Sequence, residues 1–310
     1  MINTSDMSGQ SHSILKVLRN KWQLYLLLLP ALVYIVIFSY APMYGIQIAF
    51  KDYRTGLGIW NSEWVGLEHF LRFVTYPNFW KIISNTLTLS LYGLSTFPCA
   101  VIFALLLNEI DRVSYRKTVQ MLSYMPHFFS MVVVCGIIIL FLDRSAGVVN
   151  KVLELMGLER VAFLSNPKLF SSIYVWSGVW QNLGWNSIIY LAALAGVSPE
   201  LIEAARIDGA NRLQTIWYVN LPTILPTVVT MLILSCGGLL SVGFEKVYLL
   251  QNSLNLDASE VISTYTYQIG LVGGQFSYSS AIGLFNAAVN VTLLTIVNTI
   301  SKKLSGTGIW

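Results

Sequence analysis

Gln181, Asn182, Trp185 and Asn186 place three carboxamides and an indole on one short stretch of an apolar run. At 100° per residue, Gly178, Asn182, Trp185, Asn186 and Ile189 fall within about a third of a turn, with Gln181 at the edge. Trp176 and Trp180 point away from that face and read as packing residues. Carboxamides both donate and accept hydrogen bonds, so they suit sugar hydroxyls, and an indole face suits the C–H face of a sugar ring. The stripe therefore fits non-covalent binding of a carbohydrate. It equally fits hydrogen bonding to neighbouring helices, worth roughly 0.6–2 kcal/mol in a membrane, with Trp185 as a packing residue. Both readings are open at the level of sequence.

Covalent and metal chemistry have no comparable constellation. His12, His69 and His127 are isolated and share no ligand spacing, and His127 reads as an ordinary residue following Pro126. Cys99, Cys135 and Cys236 lie inside apolar runs without metal or disulfide spacing and read as small packing residues. None of the fifteen acidic residues falls in the middle of an apolar run. Ion-coupled carriers place Asp, Glu or His there, and intramembrane hydrolases or glycan polymerases need acid or base groups near the reaction. Leu304-Ser305-Gly306-Thr307-Gly308 imitates the signature loop of an ATPase, but no lysine in the chain follows a glycine, which excludes a Walker A phosphate cradle. No catalytic residue, metal or cofactor is expected in this chain.

A second constellation is mechanical. Glu203-Ala204-Ala205 is followed by Asp208-Gly209 and then by Val219-Asn220-Leu221-Pro222, between two apolar runs. Ser198 suits an N-cap, Pro199 the first helical position and Glu200 the first turn, and the alanines extend a short helix. Gly209 suits a left-handed C-terminal cap. A second short helix is expected over about Asn211 to Tyr218. Two short helices around a glycine form a compact knob that a partner can push as a unit, although an ordinary helix–turn–helix between spans fits the same residues.

The elements that position both features follow from composition. The chain is 55% hydrophobic and 11% charged, with a mean hydropathy of +0.63, far from the roughly 25% charge of soluble domains. Six stretches meet the requirement of roughly 20 mostly apolar residues for a spanning helix: Trp22–Met43, Ile82–Leu107, Met121–Leu142, Phe170–Leu194, Pro222–Phe244 and Ser280–Ile300. The expected fold is an all-α membrane protein of six transmembrane helices. Its divisions are an N-terminal segment 1–21, a membrane domain 22–300 with the loop at about 197–220, and a tail 301–310. Lys16, Arg19 and Lys21 before Leu24–Leu29 imitate a signal peptide, but apolarity continues through Phe38 without a nearby cleavage site, so a retained first helix is expected. With both termini cytoplasmic, ten Lys and Arg fall inside and nine, Lys246 among them, fall outside, which supports that topology weakly. The formal charge of +4 suits attraction to anionic lipid, and no surface suits nucleic acid. A short surface helix is expected within 147–158.

Seven fragments, in order, carry a resemblance: MYGIQIAFKDY (43–53), WVGLEHF (64–70), FALLLNEI (103–110), SYMPHF (123–128), GFEKVYLL (243–250), SYSSAIGLFNAAVN (279–290) and SKKLSGTGIW (301–310). With the Glu203-Ala204-Ala205…Gly209 loop, the chain resembles the permease subunits of binding-protein-dependent carbohydrate ABC importers, in the subgroup taking up oligosaccharides from complex polysaccharides. The resemblance implies the type I importer permease fold in a bacterial plasma membrane. It also implies a second homologous permease subunit, a cytoplasmic ATPase dimer that binds ATP and Mg, and an extracytoplasmic solute-binding protein. Glu203, Ala204, Ala205, Asp208 and Gly209 take the ATPase-coupling role, with Val219 in place of the usual isoleucine of the motif. Matching maltose-type permeases through this loop brings Trp185 onto an aromatic position that contacts sugar there. The alternative is a stand-alone membrane enzyme or lipid-linked glycan flippase, which the absent midplane acids and the loop disfavour.

Overall fold

The computed structural model describes residues 21–306 and 308. The expected segment 1–21, the question of a cleavable leader and part of the tail 301–310 rest largely on residues outside that range. Among the described residues, four helices are long and apolar enough to cross a membrane: Trp22–Phe50, Phe79–Asn108, Arg212–Cys236 and Phe276–Lys303. Two bent pairs bring the number to six: Val113–Phe128 with Met131–Leu142, and Pro167–Leu194 with Pro199–Ile207. The six expected runs all fall on these helices, the third and fourth only as members of bent pairs, since a run of about 20 apolar residues has no other way to satisfy its backbone in lipid.

Three details depart from the expected spans. The third is not one rod: its halves meet at 101°. Pro126 lies in a tight turn over Met125–Phe128, and Ser130 starts a new helix by accepting the backbone N–H of Val133 at 3.4 Å. The fifth span begins at Arg212 and stops at Cys236, rather than running over Pro222–Phe244. The chain then crosses Gly237, Gly238 and Gly243 before a separate helix, Phe244–Leu250. The second short helix of the knob is likewise not separate. Arg212–Thr215 runs through a π turn, Ile216–Asn220, directly into Leu221–Cys236. That wide turn absorbs the N–H missing at Pro222 without breaking the span.

Three apolar clusters hold the bundle. Leu89, Val134, Ile138, Phe170, Val247 and Leu250 join the second, third and fourth spans to the Phe244–Leu250 helix. Phe73, Phe79, Ile82, Ile262, Tyr278 and Ile282 form a second cluster against the last span. Ala104, Leu105, Tyr190, Leu194, Val197 and Ile224 form a third, at the loop end of the fourth span. Close approach between the fourth span and Val113–Tyr124 depends on Gly184, where a Cβ would run into the backbone of Ser123. Between the first two spans, Lys51–Asp52 pairs antiparallel with Glu63–Trp64, the only ribbon among the described residues. The expected surface helix is present as Val148–Leu155. The first span stands apart, exposed at every residue from Lys21 to Tyr44.

Candidate functional site

The fourth span presents its amide face to a cavity of about 1000 Å³, at the top of the roughly 300–1,000 Å³ range of small-molecule sites. Gly178, Gln181, Asn182, Trp185, Asn186 and Ile189, the face derived from the helical wheel, all line it. The opposite walls come from the second span, with Ser90, Thr96 and Cys99, and from Ser235 at the end of the fifth with Gly238 and Ser241 just after it. Trp176 and Trp180 point elsewhere, into a separate apolar cleft with Ile137, Phe141 and Phe163. Trp176 also donates its indole N–H to the Tyr92 hydroxyl at 2.9 Å.

The four polar side chains of this face have different surroundings. Asn182 Nδ2 donates to Gly178 O at 3.1 Å, which fixes the orientation of the amide. Its Oδ1 then accepts from Nδ1–H of His127 at 2.9 Å. The His127 ring stacks on Trp185 with centroids 4.3 Å apart and planes 6° apart, and Phe128 meets the indole edge-on. His127, read from sequence as ordinary, is therefore part of the site. The turn at Pro126 that bends the third span delivers it there. Gln181 is 5% exposed, and its Oε1 has no hydrogen-bond partner. Asn186 is exposed to the cavity.

Sequence reasoning also missed Glu245 and Lys246, which line the same cavity. The charge count places Lys246 outside the membrane, and the fold leaves it only 5% exposed. Its Nζ donates to Tyr174 O at 2.8 Å and lies 4.9 Å from the Tyr174 ring centroid. Their only sequence signal was the GFEKVYLL fragment, which says nothing of a partner about 70 residues upstream.

The loop lies at the other end of the fourth span, which turns through 81° into Pro199–Ile207. Ser198 Oγ accepts the N–H of Glu200 at 3.3 Å. Gly209 closes the helix at φ +82°, with Ala210 N–H bonded to Ala205 O at 2.9 Å and Gly209 N–H to Arg206 O at 3.1 Å, the Schellman pattern. Asn211 and Gln214 then form a reciprocal capping box. Glu203, Ala204 and Asp208 are exposed and Ala205 is half-buried. Around them Leu201, Ile207, Leu213, Trp217 and Tyr218 are all exposed, Ile207 at 86%. Of these, Leu201 and Ile207 lie on the loop, whereas Leu213, Trp217 and Tyr218 belong to the start of the fifth span. The loop is tied back to the turn after the second span. Arg212 donates to Glu109 O at 3.1 Å and to Asp111 Oδ2 at 2.7 Å, and Asn220 Nδ2 donates to Glu109 Oε1 at 3.2 Å. Among the described residues no cluster of His, Cys, Asp or Glu suits a metal ion.

Residues 78–306 match a family model described as "Binding-protein-dependent transport system inner membrane component". Over 298 residues the chain is 44% identical to the polygalacturonan/rhamnogalacturonan transport system permease protein YteP of Bacillus subtilis (strain 168), covering 96% of this chain and 92% of that protein. It is also 44% identical over 293 residues to protein LplB of the same organism, covering 94% and 92%. Among solved structures it matches a chain of a bacterial alginate ABC transporter in complex with alginate pentasaccharide-bound periplasmic protein. The TM-score is 0.87 with 40% identity, over 96% of this chain and 99% of that one.

Proposed function

This chain belongs to the inner membrane components of binding-protein-dependent transport systems, a permease subunit without catalysis of its own, and we propose that it carries oligosaccharides handed over by an extracytoplasmic solute-binding protein. The observation that carries this reading is a continuity of structure. One run of chain bears the amide and indole face of the cavity on Pro167–Leu194 and, after an 81° turn, the exposed loop on Pro199–Ile207. Force applied to the loop by a cytoplasmic ATPase dimer is thereby delivered to the wall of the cavity. Nucleotide and Mg belong to that ATPase. The stand-alone enzyme or flippase alternative gives way to the family assignment.

In this reading Gln181, Trp185 and Asn186 meet the sugar, and Asn182 reaches it once its contact with His127 opens. Glu203, Ala204, Ala205, Asp208 and Gly209 form the socket for the ATPase, the second permease is a homologue of this chain, and both termini are cytoplasmic in a bacterial plasma membrane. The test is reconstitution of the whole complex in proteoliposomes with labelled oligosaccharides on the binding-protein side. Uptake is expected only when ATP and the binding protein are both supplied. Equal accumulation with either omitted overturns the reading.

A further inference from the structure

The cavity holds a cation that the fold does not neutralise. Lys246 is buried, and among the described residues no carboxylate pairs with it. Its hydrogen bond goes to the Tyr174 carbonyl oxygen, with the Tyr174 ring centroid 4.9 Å from Nζ and the Cys135 thiol nearby, which leaves N–H capacity on an ammonium with three donors. Room for Nζ comes from Gly178, whose absent Cβ would stand 3.2 Å from it. The ammonium thus sits one turn along the fourth span from Asn182, on the face that lines the cavity. A buried lysine without a counter-ion is costly to the fold unless something else uses it. A second, independent group points the same way: Gln181 Oε1, buried in the same wall, accepts no hydrogen bond from the protein.

Resting on the oligosaccharide reading above, we propose that Lys246 binds a carboxylate of an acidic oligosaccharide, so that the cavity takes chains containing uronic acid residues. A carboxylate supplies the missing charge and accepts the free N–H groups of Lys246. The hydroxyls of the same sugar donate to Gln181 Oε1, and its ring lies toward Trp185. Glu245, exposed to the same cavity, accepts hydroxyl hydrogens and repels a second carboxylate, so the subsite reads one acid group. The tether to Tyr174 holds the ammonium in place before the sugar arrives, which limits the ordering that binding requires.

The test compares the assembled permease–ATPase complex in nanodiscs, without binding protein, carrying wild type, Lys246→Met or Lys246→Arg. Saturation-transfer NMR reads contact with trigalacturonate and with neutral maltotriose, and uptake of labelled trigalacturonate is measured in parallel with binding protein present. Lys246→Met is expected to lower both trigalacturonate signals by at least about tenfold, while Lys246→Arg stays within a few-fold of wild type. Any maltotriose signal should be unchanged in Lys246→Met. Unaltered trigalacturonate contact in Lys246→Met overturns the proposal. So does equal loss of both sugars, or loss in Lys246→Arg as well, either of which makes Lys246 a structural tether. Wild-type complex that contacts maltotriose alone overturns the acidic subsite and leaves the oligosaccharide reading standing. Contact with neither sugar, together with no uptake of trigalacturonate, sinks both.

Discussion

Asn182 and Asn186 lie one turn apart on the same face, and their surroundings assign them different work. Asn182 spends its amide on Gly178 O and on His127, whereas Asn186 faces the cavity. Asn182→Ala is expected to strip the acceptor from a half-buried His127 and lower the stability of the complex by about 1–3 kcal/mol, read as a fall in its melting temperature. Asn186→Ala should leave melting unchanged and lower oligosaccharide uptake several-fold. Equal melting and unimpaired uptake in Asn186→Ala would remove that residue from the sugar site. The face itself was legible in the sequence because a helix repeats every 3.6 residues, so positions 178 to 189 sort themselves by angle. What occupies each amide was not legible. His127 comes from the third span, 55 residues upstream, and Lys246 from a helix after the fifth, so each meets the face only through tertiary packing.

The knob after the fourth span is governed by backbone conformation and by its tie to the preceding turn. At Gly209 a Cβ would meet no atom within 4 Å, and φ is +82°, so any penalty for a side chain is conformational rather than steric. A β-branched residue there costs of order 1–3 kcal/mol, whereas asparagine tolerates the left-handed region. Gly209→Val should therefore abolish ATP-driven uptake with basal ATPase activity of the partner retained, and Gly209→Asn should keep most of it. Full uptake in Gly209→Val would falsify the docking role. Ser198, Pro199 and Gly209 could be read in advance because caps and left-handed turns are set by local chemistry. The fusion of the second helix with the fifth span could not, since a π turn around Pro222 leaves no mark in apolar periodicity. At the neighbouring turn, burial holds the Glu109 carboxyl above the usual carboxylate range, and Arg212 and Arg206 pull it part of the way back. A raised value in the fold means that the protonated form is favoured. Its contribution is fully present below about 4.5, the ordinary value, and is lost as pH rises through the raised one. Glu109→Gln keeps an acceptor for Asn220 and removes the charge. Its complex should melt above wild type at pH 8, with the difference shrinking as pH falls toward the ordinary carboxylate range; a difference that grows on acidification would reverse the assigned sign.

At the scale of the whole molecule, six apolar runs announced the bundle, because lipid leaves a chain no alternative to satisfied helices. The 101° bend of the third span was not announced: Pro126 marks where a helix can break, but the angle is set by what packs on either side. The same division applies to the first span, whose existence was plain and whose isolation was not. Every residue from Lys21 to Tyr44 is exposed, including Leu27 at 78% and Phe38 and Tyr34 at 64%, while the later spans each contribute to the three cores. A spanning helix gains little by leaving lipid for protein unless packing surfaces match, so this one serves either as a lipid-facing anchor or as an arm laid on another subunit. The pairing with a second permease proposed above would use it as the arm. A chain lacking residues 1–44 is accordingly expected to insert, with its remaining cores intact, and to fail to co-purify with the second permease and the ATPase. Co-purification at wild-type yield would assign the first span to lipid instead.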